Sequence, residues 1–430
     1  MKDISSLLLE LESLPRGYIS RKIIHGGEYF YLQYKDGNKL ISKYIPREQL
    51  PSLEENLKRR NEIEKEIKEY YGKGKPLNHL SPRTLELSGS IMMGDKVVAK
   101  FQKRTLIDIN NDLAPLIIKR THDLISFLNS RVIDTSRTNA RLLKRILNIH
   151  TEEDYLIALK NHATSITDNY WFRSQNSRLS YNDVFLDSDV YNEISLKGDI
   201  SIFPRVAKLS PQFSMLGSFE KCWRYISSTW YMYKNQSKEE ILSEYIASLL
   251  SKSLGIPTAE YEMVDKYIRT KNFADKYNFE PLASLLGDND SYEHVFDTLN
   301  KLDKELAKQY LALIWFDALV NNVDRHNENV GLLRDKETGH IVSLAPNFDL
   351  NMSLFSRNKV LTKNKDGFIS LYLKFVNSNK TVQELYKEIS LNPLTEQIID
   401  EILSKVDLSE YNFDLKGYIL YRYECIKDIL

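Results

Sequence analysis

The stretch that most constrains this chain runs from Asn321 to Leu354, NNVDRHNENVGLLRDKETGHIVSLAPNFDLNMSL. It opens at the end of an apolar run, YLALIWFDALV (Tyr310–Val320), and gathers polar and charged residues into Asp324–Asn329. It then returns to apolar Val330–Leu333. A Gly-containing turn over Lys336–Gly339 leads to a second apolar segment, Ile341–Leu344, and then to Asp349. The pattern predicts helix, strand, turn, strand, with the polar residues where elements end. A carboxylate at Asp324, a carboxamide five positions on at Asn329 and a second carboxylate beyond a hairpin form a set suited to phosphoryl transfer. Asp324 would accept or orient a hydroxyl proton, while Asn329 and Asp349 would hold Mg2+ through hard oxygen ligands. Alone, an Asp and an Asn at that spacing are ordinary turn residues. The reading rests on His326, the hairpin and Phe348-Asp349 following in register.

Upstream, SPQFSMLGSFEK (Ser210–Lys221) sets Ser214, Gly217 and Lys221 in an S-x-x-G-x-x-x-K pattern. Glycine allows close backbone approach to phosphate, amides supply fixed donors and lysine adds a cation. A strand, STWYMYK, ends in Lys234, and a helix begins at Ser237 with a capping box to Glu240. Ile241, Leu242, Tyr245, Ile246, Leu249 and Leu250 give that helix a buried face; Gly255 and Pro257 end it. A strand lysine followed by a helix glutamate is the order that aims a lysine at ATP phosphates through an ion pair. Both Glu244 and Glu240, one turn earlier, fit the partner's role. Tyr261–Val264 and Tyr267–Thr270 read as two further strands, which would place adenine near Thr270–Phe273. Neither a Walker A sequence nor G-x-G-x-x-G is present.

The order D-x-H-x-x-N, hairpin, F-D resembles the catalytic and metal-binding loops of the HipA-like kinases. The string DRHNEN is also similar to the DRHxxN loop of phosphoinositide 3-kinase-type lipid kinases. The spacing of Ser214, Gly217 and Lys221 resembles the HipA-like phosphate loop, and the resemblance covers about residues 195–390. It implies an α+β fold with a bilobal protein-kinase-like core, a smaller lobe over 195–273 and a helical larger lobe over 274–430. It further implies ATP and Mg2+ as cofactors. The amides around Ser214, Gly217 and Ser218 would cover the phosphates together with Lys221 and Lys234. Glu244, in an S-E string similar to the family's, would hold Lys234; Asp324 would be the catalytic aspartate, and Asn329 and Asp349 the metal ligands. The acceptor would be a serine or threonine of a protein substrate. Resemblance to toxin kinases suggests growth control through a translation-related protein, with an antitoxin-like partner. Ser214 stands where the family carries an inhibitory phosphoserine, so the loop is expected to autophosphorylate and flip away from ATP. One departure is that Phe348-Asp349-Leu350 lacks the glycine of D-F-G. His326 reads as a loop-structuring residue, and Arg325 as a neutraliser of transferred phosphate or a support for the loop. A lipid or small-molecule kinase is the rival reading, and a nucleotide-binding regulator without transfer activity the third. No basic amphipathic helix marks membrane docking.

Residues 1–75 look like a separate module of strands and helix. A short helix over Ile4–Leu14 precedes three strand-like segments, YISRKII, EYFYLQY and KLISKYI, divided by Gly-Gly and Asp-Gly turn signals. A charged helix follows over Leu53–Tyr71. Arg16, Arg21, Lys22, Lys35, Lys39 and Lys43 could lay a ribbon on DNA, yet 15 basic residues meet 12 acidic ones, which equally fits solvated charge on an interaction module. The 26 tyrosines are spread along the chain, so their count alone predicts no stacking platform. Residues 80–190 show a hairpin (LELSGSIMMGDKVVAKFQ), helices over Leu113–Asn129, Asn139–Leu147 and Glu152–Asn161, and a packed loop, SITDNYWF, with Asp168 and Trp171. Arg137, Arg141, Lys144 and Arg145 form a basic face over 137–145 for nucleic acid or an acidic partner, or simply a solvated one. Zero net charge over 430 residues, 42% hydrophobic and 27% charged, suits a soluble globular protein of two or three domains. Two cysteines exclude a disulfide framework or a Cys-rich metal site. With no secretory h-region and no apolar run long enough to span a bilayer, the expected location is cytoplasmic, with no membrane partner.

Overall fold

The computed structural model describes residues 14–15, 17–24, 27–36, 39–70, 87–132, 155–184, 220–357, 361–363 and 367–430. The chain divides into two compact units, residues 1–85 with 198–207 and residues 86–197 with 208–430. In the first, alternating β-branched and aromatic residues form β1 (Tyr18–Ile24), β2 (Gly27–Asp36) and β3 (Lys39–Ile45), antiparallel in that order. Ile19 pairs with Leu32 and Phe30 with Ile45. A 3-10 turn over Arg47–Gln49 leads into α1 (Leu50–Tyr70), with Pro51 in the first turn, where its missing N–H is not needed. Ile45 and, on α1, Ile63 are buried. The helix expected at 4–14 lies almost wholly outside the described residues, as does the one expected at 139–147.

The second unit begins with β4 (Gly89–Met93), β5 (Lys96–Gln102) and β6 (Thr105–Ile109). Helices α2 (Leu116–Thr121), α3 (Leu124–Asn129) and α4 (Tyr155–Lys160) follow, then β7 (Tyr170–Ser174) and the single turn α5 (Tyr181–Val184). Sheet order is β6-β5-β4-β7. The one helix expected over 113–129 is two. His122 takes a left-handed φ of 52°, and Asp123 restarts the chain by accepting the Ile125 and Ser126 amides. The SITDNYWF string is a loop only in its first half; Tyr170, Trp171 and Phe172 are all buried in β7, so the alternation that would have marked a strand is missing. Trp171 donates Nε1–H to the Gly94 carbonyl at 2.7 Å, and Asp168 pairs with Arg131 at 2.6 Å.

The rest of the unit carries most of the residues singled out in the sequence. β8 (Glu220–Ile226), β9 (Thr229–Asn235), α6 (Lys238–Ser253), β10 (Tyr261–Val264) and β11 (Tyr267–Lys271) come first, the strands in the antiparallel order β10-β11-β9-β8. The predicted capping box of α6 forms, Ser237 with Glu240, a device worth about 1 kcal/mol. β12 (Tyr277–Pro281), α7 (Leu282–Leu286), α8 (Tyr292–Leu302), α9 (Lys304–Val320), β13 (Gly331–Asp335) and β14 (Ile341–Leu344) follow. Helices α10 (Gly367–Ser378), α11 (Lys380–Tyr386), α12 (Glu396–Leu403) and α13 (Leu415–Ile426) complete the chain. β12 gave no sequence signal, because YNFEP is polar and ends in proline; it pairs with β13 and buries Asn278 and Glu280. Gly331 is needed at that pairing, since a Cβ there would lie 2.4 Å from the Phe279 ring and 2.7 Å from the Glu280 carbonyl. From Tyr310 to Val320 α9 is buried on every side and lies in the main core, while its charged first turns, with Lys304, Glu305 and Lys308, reach the surface. Among the described residues, no helix is long and apolar enough to cross a membrane.

Candidate active site

α9 ends because Asn321 adopts a left-handed φ of 56°, a conformation asparagine tolerates, and the chain turns into the polar loop. The carboxylate in the buried part of that helix, Asp317, is fully buried and organises the loop beyond the helix end. It accepts from Asn322 Nδ2 at 2.8 Å, and from Arg325 Nε at 2.8 Å and Nη2 at 2.9 Å. The same guanidinium reaches across the hairpin. Nη1 donates to the Asn329 carbonyl at 2.5 Å and the Phe348 carbonyl at 3.2 Å, and Nη2 donates to Asn347 Oδ1 at 2.8 Å. Arg325 therefore fixes the loop carrying Asn329 against the segment carrying Asp349. Of its two expected roles, support is the one the contacts assign. Within the loop, Asn329 Nδ2 donates to the Asp324 carbonyl at 3.0 Å, which leaves Oδ1 as the end suited to a cation. His326 Nδ1 accepts the Glu328 amide at 3.2 Å, as a loop-structuring residue would. Asn327 donates to the Gly287 and Asn289 carbonyls at 2.9 Å each.

Asp349 sits at φ 58°, a left-handed conformation that Asp adopts more readily than bulkier residues but still at some cost. Both neighbours hold it there. Its amide donates to the Tyr261 hydroxyl at 3.0 Å, and the Phe348 ring lies 5.4 Å from Phe273 and 5.6 Å from Phe279. Opposite stands Lys234, whose Nζ is 2.6 Å from Glu244 Oε1 and 2.7 Å from Asp349 Oδ1. Glu244 is fully buried, while Glu240 is committed to the helix cap, so the geometry selects Glu244 as the partner of Lys234. Lys221 is directly opposite Lys234 in the β8–β9 register. Directly opposed residues share a face, and two like charges so placed repel unless anionic groups compensate them.

The charges are consistent with that picture. Burial alone would lower the Lys234 pKa, but Asp349 and Glu244 outweigh it and raise it well above its ordinary value. Burial likewise pushes Asp349 up, yet Lys234, Lys221 and Arg325 hold its carboxyl below the usual range. Glu244 keeps a raised pKa because its burial prevails over Lys234 and the Tyr261 hydroxyl. Thr270, where adenine was expected, has a buried hydroxyl without a hydrogen-bond partner.

The structure thus brings Lys234, Glu244 and Asp349 into contact, and joins Asn329 to the Asp349 segment through Arg325. Asp324 is half-buried at the start of the same loop. Ser214, Gly217 and Ser218 lie outside the described residues, as does the basic 137–145 face. Sequence reasoning missed Asn347 and Tyr261. It also passed over Asp317, although a lone carboxylate inside YLALIWFDALV was a legible sign of a buried ion pair.

A family profile described as the HipA-like C-terminal domain matches residues 217–409, and a domain of unknown function (DUF6788) matches residues 2–55. No curated protein matches. A chain of the Shewanella oneidensis MR-1 toxin–antitoxin complex of HipA, HipB and operator DNA is similar at 12% identity, with a TM-score of 0.50, over 79% of this chain and 96% of that one. The Helicobacter pylori proinflammatory kinase CtkA is similar at 18% identity, with a TM-score of 0.37, over 48% of this chain and 90% of that one. The chain shares a distant homology with the HipA-like family and an α+β fold with the chain of the Shewanella oneidensis complex.

Proposed function

We propose that this distant homologue of HipA-like proteins transfers the γ-phosphoryl group of ATP to a serine or threonine hydroxyl of a polypeptide. The core would be bilobal, with the β8–β11 sheet and α6 as its smaller lobe and the layer around α9 as its larger. The observation that carries the reading is the buried Lys234 ammonium, 2.6 Å from Glu244 and 2.7 Å from Asp349. The donor set fits the cofactors. Two lysines opposed across β8 and β9 suit a polyanion, the orphaned Thr270 hydroxyl suits a polar ring edge, and a carboxylate with a carboxamide suits a hard divalent cation.

Bound Mg2+ would neutralise the charge that develops between the β- and γ-phosphates. Asn329 and Asp349 would hold it, and Lys221 and Lys234 would face the phosphates beneath the Ser214–Ser218 amides. Glu244 keeps Lys234 charged and aimed. Asp324 would orient the acceptor hydroxyl and take its proton. Arg325 has its donors engaged by Asp317, Asn347 and two carbonyls, and serves by keeping the two loops in register. Phosphate on Ser214 would add about −1.5 to −2 charge beside another polyanion and shut the site. Growth control through a translation-related protein, under an antitoxin-like partner, belongs to the same proposal.

Incubation with labelled ATP·Mg2+ and a cell lysate, followed by mass spectrometry, tests it. The expected result is phosphoserine or phosphothreonine on polypeptides, including a site between Ser210 and Ser218 of this chain. Label confined to inositol lipids or soluble metabolites would transfer the assignment to a lipid or small-molecule kinase. Nucleotide binding with no transfer would make it a regulator.

A further inference from the structure

The sheet of the first unit has a face that phosphoryl transfer does not use. In its register Tyr18 stands opposite Gln33, Lys22 opposite Tyr29, and Tyr31 opposite Tyr44. Opposed residues share a face and so do residues two apart along a strand, so these four tyrosines lie together with Lys22 and Gln33. The apolar Ile19, Phe30, Leu32 and Ile45 fall on the other side. Tyr18, Tyr29 and Tyr44 are 57%, 39% and 52% exposed, an unusual concentration of open aromatic surface. Tyr44 lies 6.3 Å from Tyr29 at 51° and 5.8 Å from Tyr31 at 68°, so the rings are tilted rather than stacked on one another. The Lys22 ammonium sits 4.8 Å over the Tyr31 ring. On this face the register places Lys22 and, two positions beyond Gln33, Lys35, and among the described residues no acidic one; Arg21 and Lys43, opposite Phe30 and Leu32, fall on the other side.

We propose that this face binds single-stranded nucleic acid, with bases stacked on Tyr29, Tyr31 and Tyr44 and the backbone drawn by the lysines of the same face, Lys22 and Lys35. The positive balance selects a polyanion. The ring faces select one whose bases are unpaired, because a duplex shows a protein only groove edges and phosphates, whereas a single strand offers π faces. A ribbon laid on duplex DNA, one of the two readings of this module from its sequence, would present mainly polar and charged groups where this face presents tyrosine. The inference does not rest on the kinase reading.

The test is fluorescence anisotropy of the full-length protein with labelled oligonucleotides of one sequence, as single-stranded DNA, single-stranded RNA and DNA duplex, at low and moderate salt. The expected result is single-strand binding that weakens with salt and exceeds duplex binding; the DNA and RNA arms identify the natural source. Tyr29→Ala and Tyr44→Ala should each weaken binding on the order of tenfold. Tyr44→Phe should retain it, and Lys22→Gln should flatten the salt dependence. Tyr44→Leu, which keeps apolar bulk without a π face, should lose binding as the alanine does, guarding against a folding artefact. Phosphoryl transfer should not change in any of them. Failure to bind single strands, duplex binding as tight or tighter, or wild-type binding by both Tyr44→Ala and Tyr44→Leu would overturn the proposal.

Discussion

Arg325 and Arg334 are both buried side chains, each neutralised by one carboxylate and saturated by neighbouring oxygens, yet they join different parts of the molecule. Arg325 pairs with Asp317 and spends its remaining donors on Asn329, Asn347 and Phe348, the residues around the candidate metal site. Arg334 pairs with Glu280 and donates to the Ala114 carbonyl at 2.9 Å, the Tyr170 hydroxyl at 3.1 Å and the Gly339 carbonyl at 2.8 Å. None of its partners is a candidate site residue. It ties the β12–β14 sheet to the segment before α2 and to β7. The same chemistry thus sets a site in one place and fastens two layers in the other, and activity should distinguish them where stability does not.

The largest effect expected on the site side is from the carboxylates themselves. Asp324→Ala and Asp349→Ala should each lower phosphoryl transfer on the order of 10³-fold while circular dichroism shows the fold retained. Full activity in either variant would empty the Arg325 side of the comparison.

Arg325→Met comes next. It strands Asp317 as a buried, uncompensated charge and releases both loops, so it should cost about 3–5 kcal/mol in denaturant unfolding. Transfer by the surviving folded fraction should also fall. Arg334→Met should cost a similar ~3–5 kcal/mol by stranding Glu280, but leave transfer per folded molecule near wild type. Equal losses of specific activity in the two would mean that the layer junction also shapes the site. Combining Arg334→Met with Glu280→Leu should recover part of that loss, since no unpaired charge then remains. A double variant less stable than the single would show that Glu280 matters more as acceptor for the Leu116 amide, at 2.6 Å, and the Tyr170 hydroxyl, at 3.3 Å, than as a stranded charge.

The smallest effect is in pH. The folded-state pKa of Asp349 is depressed, so its ion pair stabilises the fold fully above the ordinary carboxylate value of about 4 and loses that contribution as pH falls through the lower folded value. Glu244, with a raised pKa, acts with the opposite sign and gives up its share as pH rises through its folded value. Melting temperatures of wild type and Asp349→Asn should therefore differ at neutral pH and converge only in acid below about pH 4. A gap that persists unchanged into strong acid would assign the effect to packing.

Much of this was readable in advance where one physical signal decides an element. The strands of the first unit, the β13–β14 hairpin and the capped α6 follow from alternation, turn residues and a capping box. Lys234, Glu244 and Asp349 were individually legible, but choosing Glu244 over Glu240 by contact needed the folded helix, because both glutamates suit the order of motifs. β12 and β7 were hidden, one by polarity and a proline, the other by burial on both faces. The aromatic face of the first unit was invisible for a related reason. Four tyrosines separated in sequence become neighbours only once the register pairs Tyr31 with Tyr44 and Lys22 with Tyr29.

The central claim is that Lys234, Glu244, Asn329 and Asp349 form a site for a nucleotide triphosphate and a divalent cation. Calorimetric titration with ATP, in the presence and absence of Mg2+, tests it on wild type and Asp349→Ala. The account predicts that wild type binds ATP more tightly when Mg2+ is present, and that Asp349→Ala binds ATP but gains nothing from the metal. Wild-type affinity indifferent to Mg2+, or no ATP binding in either condition, would contradict it.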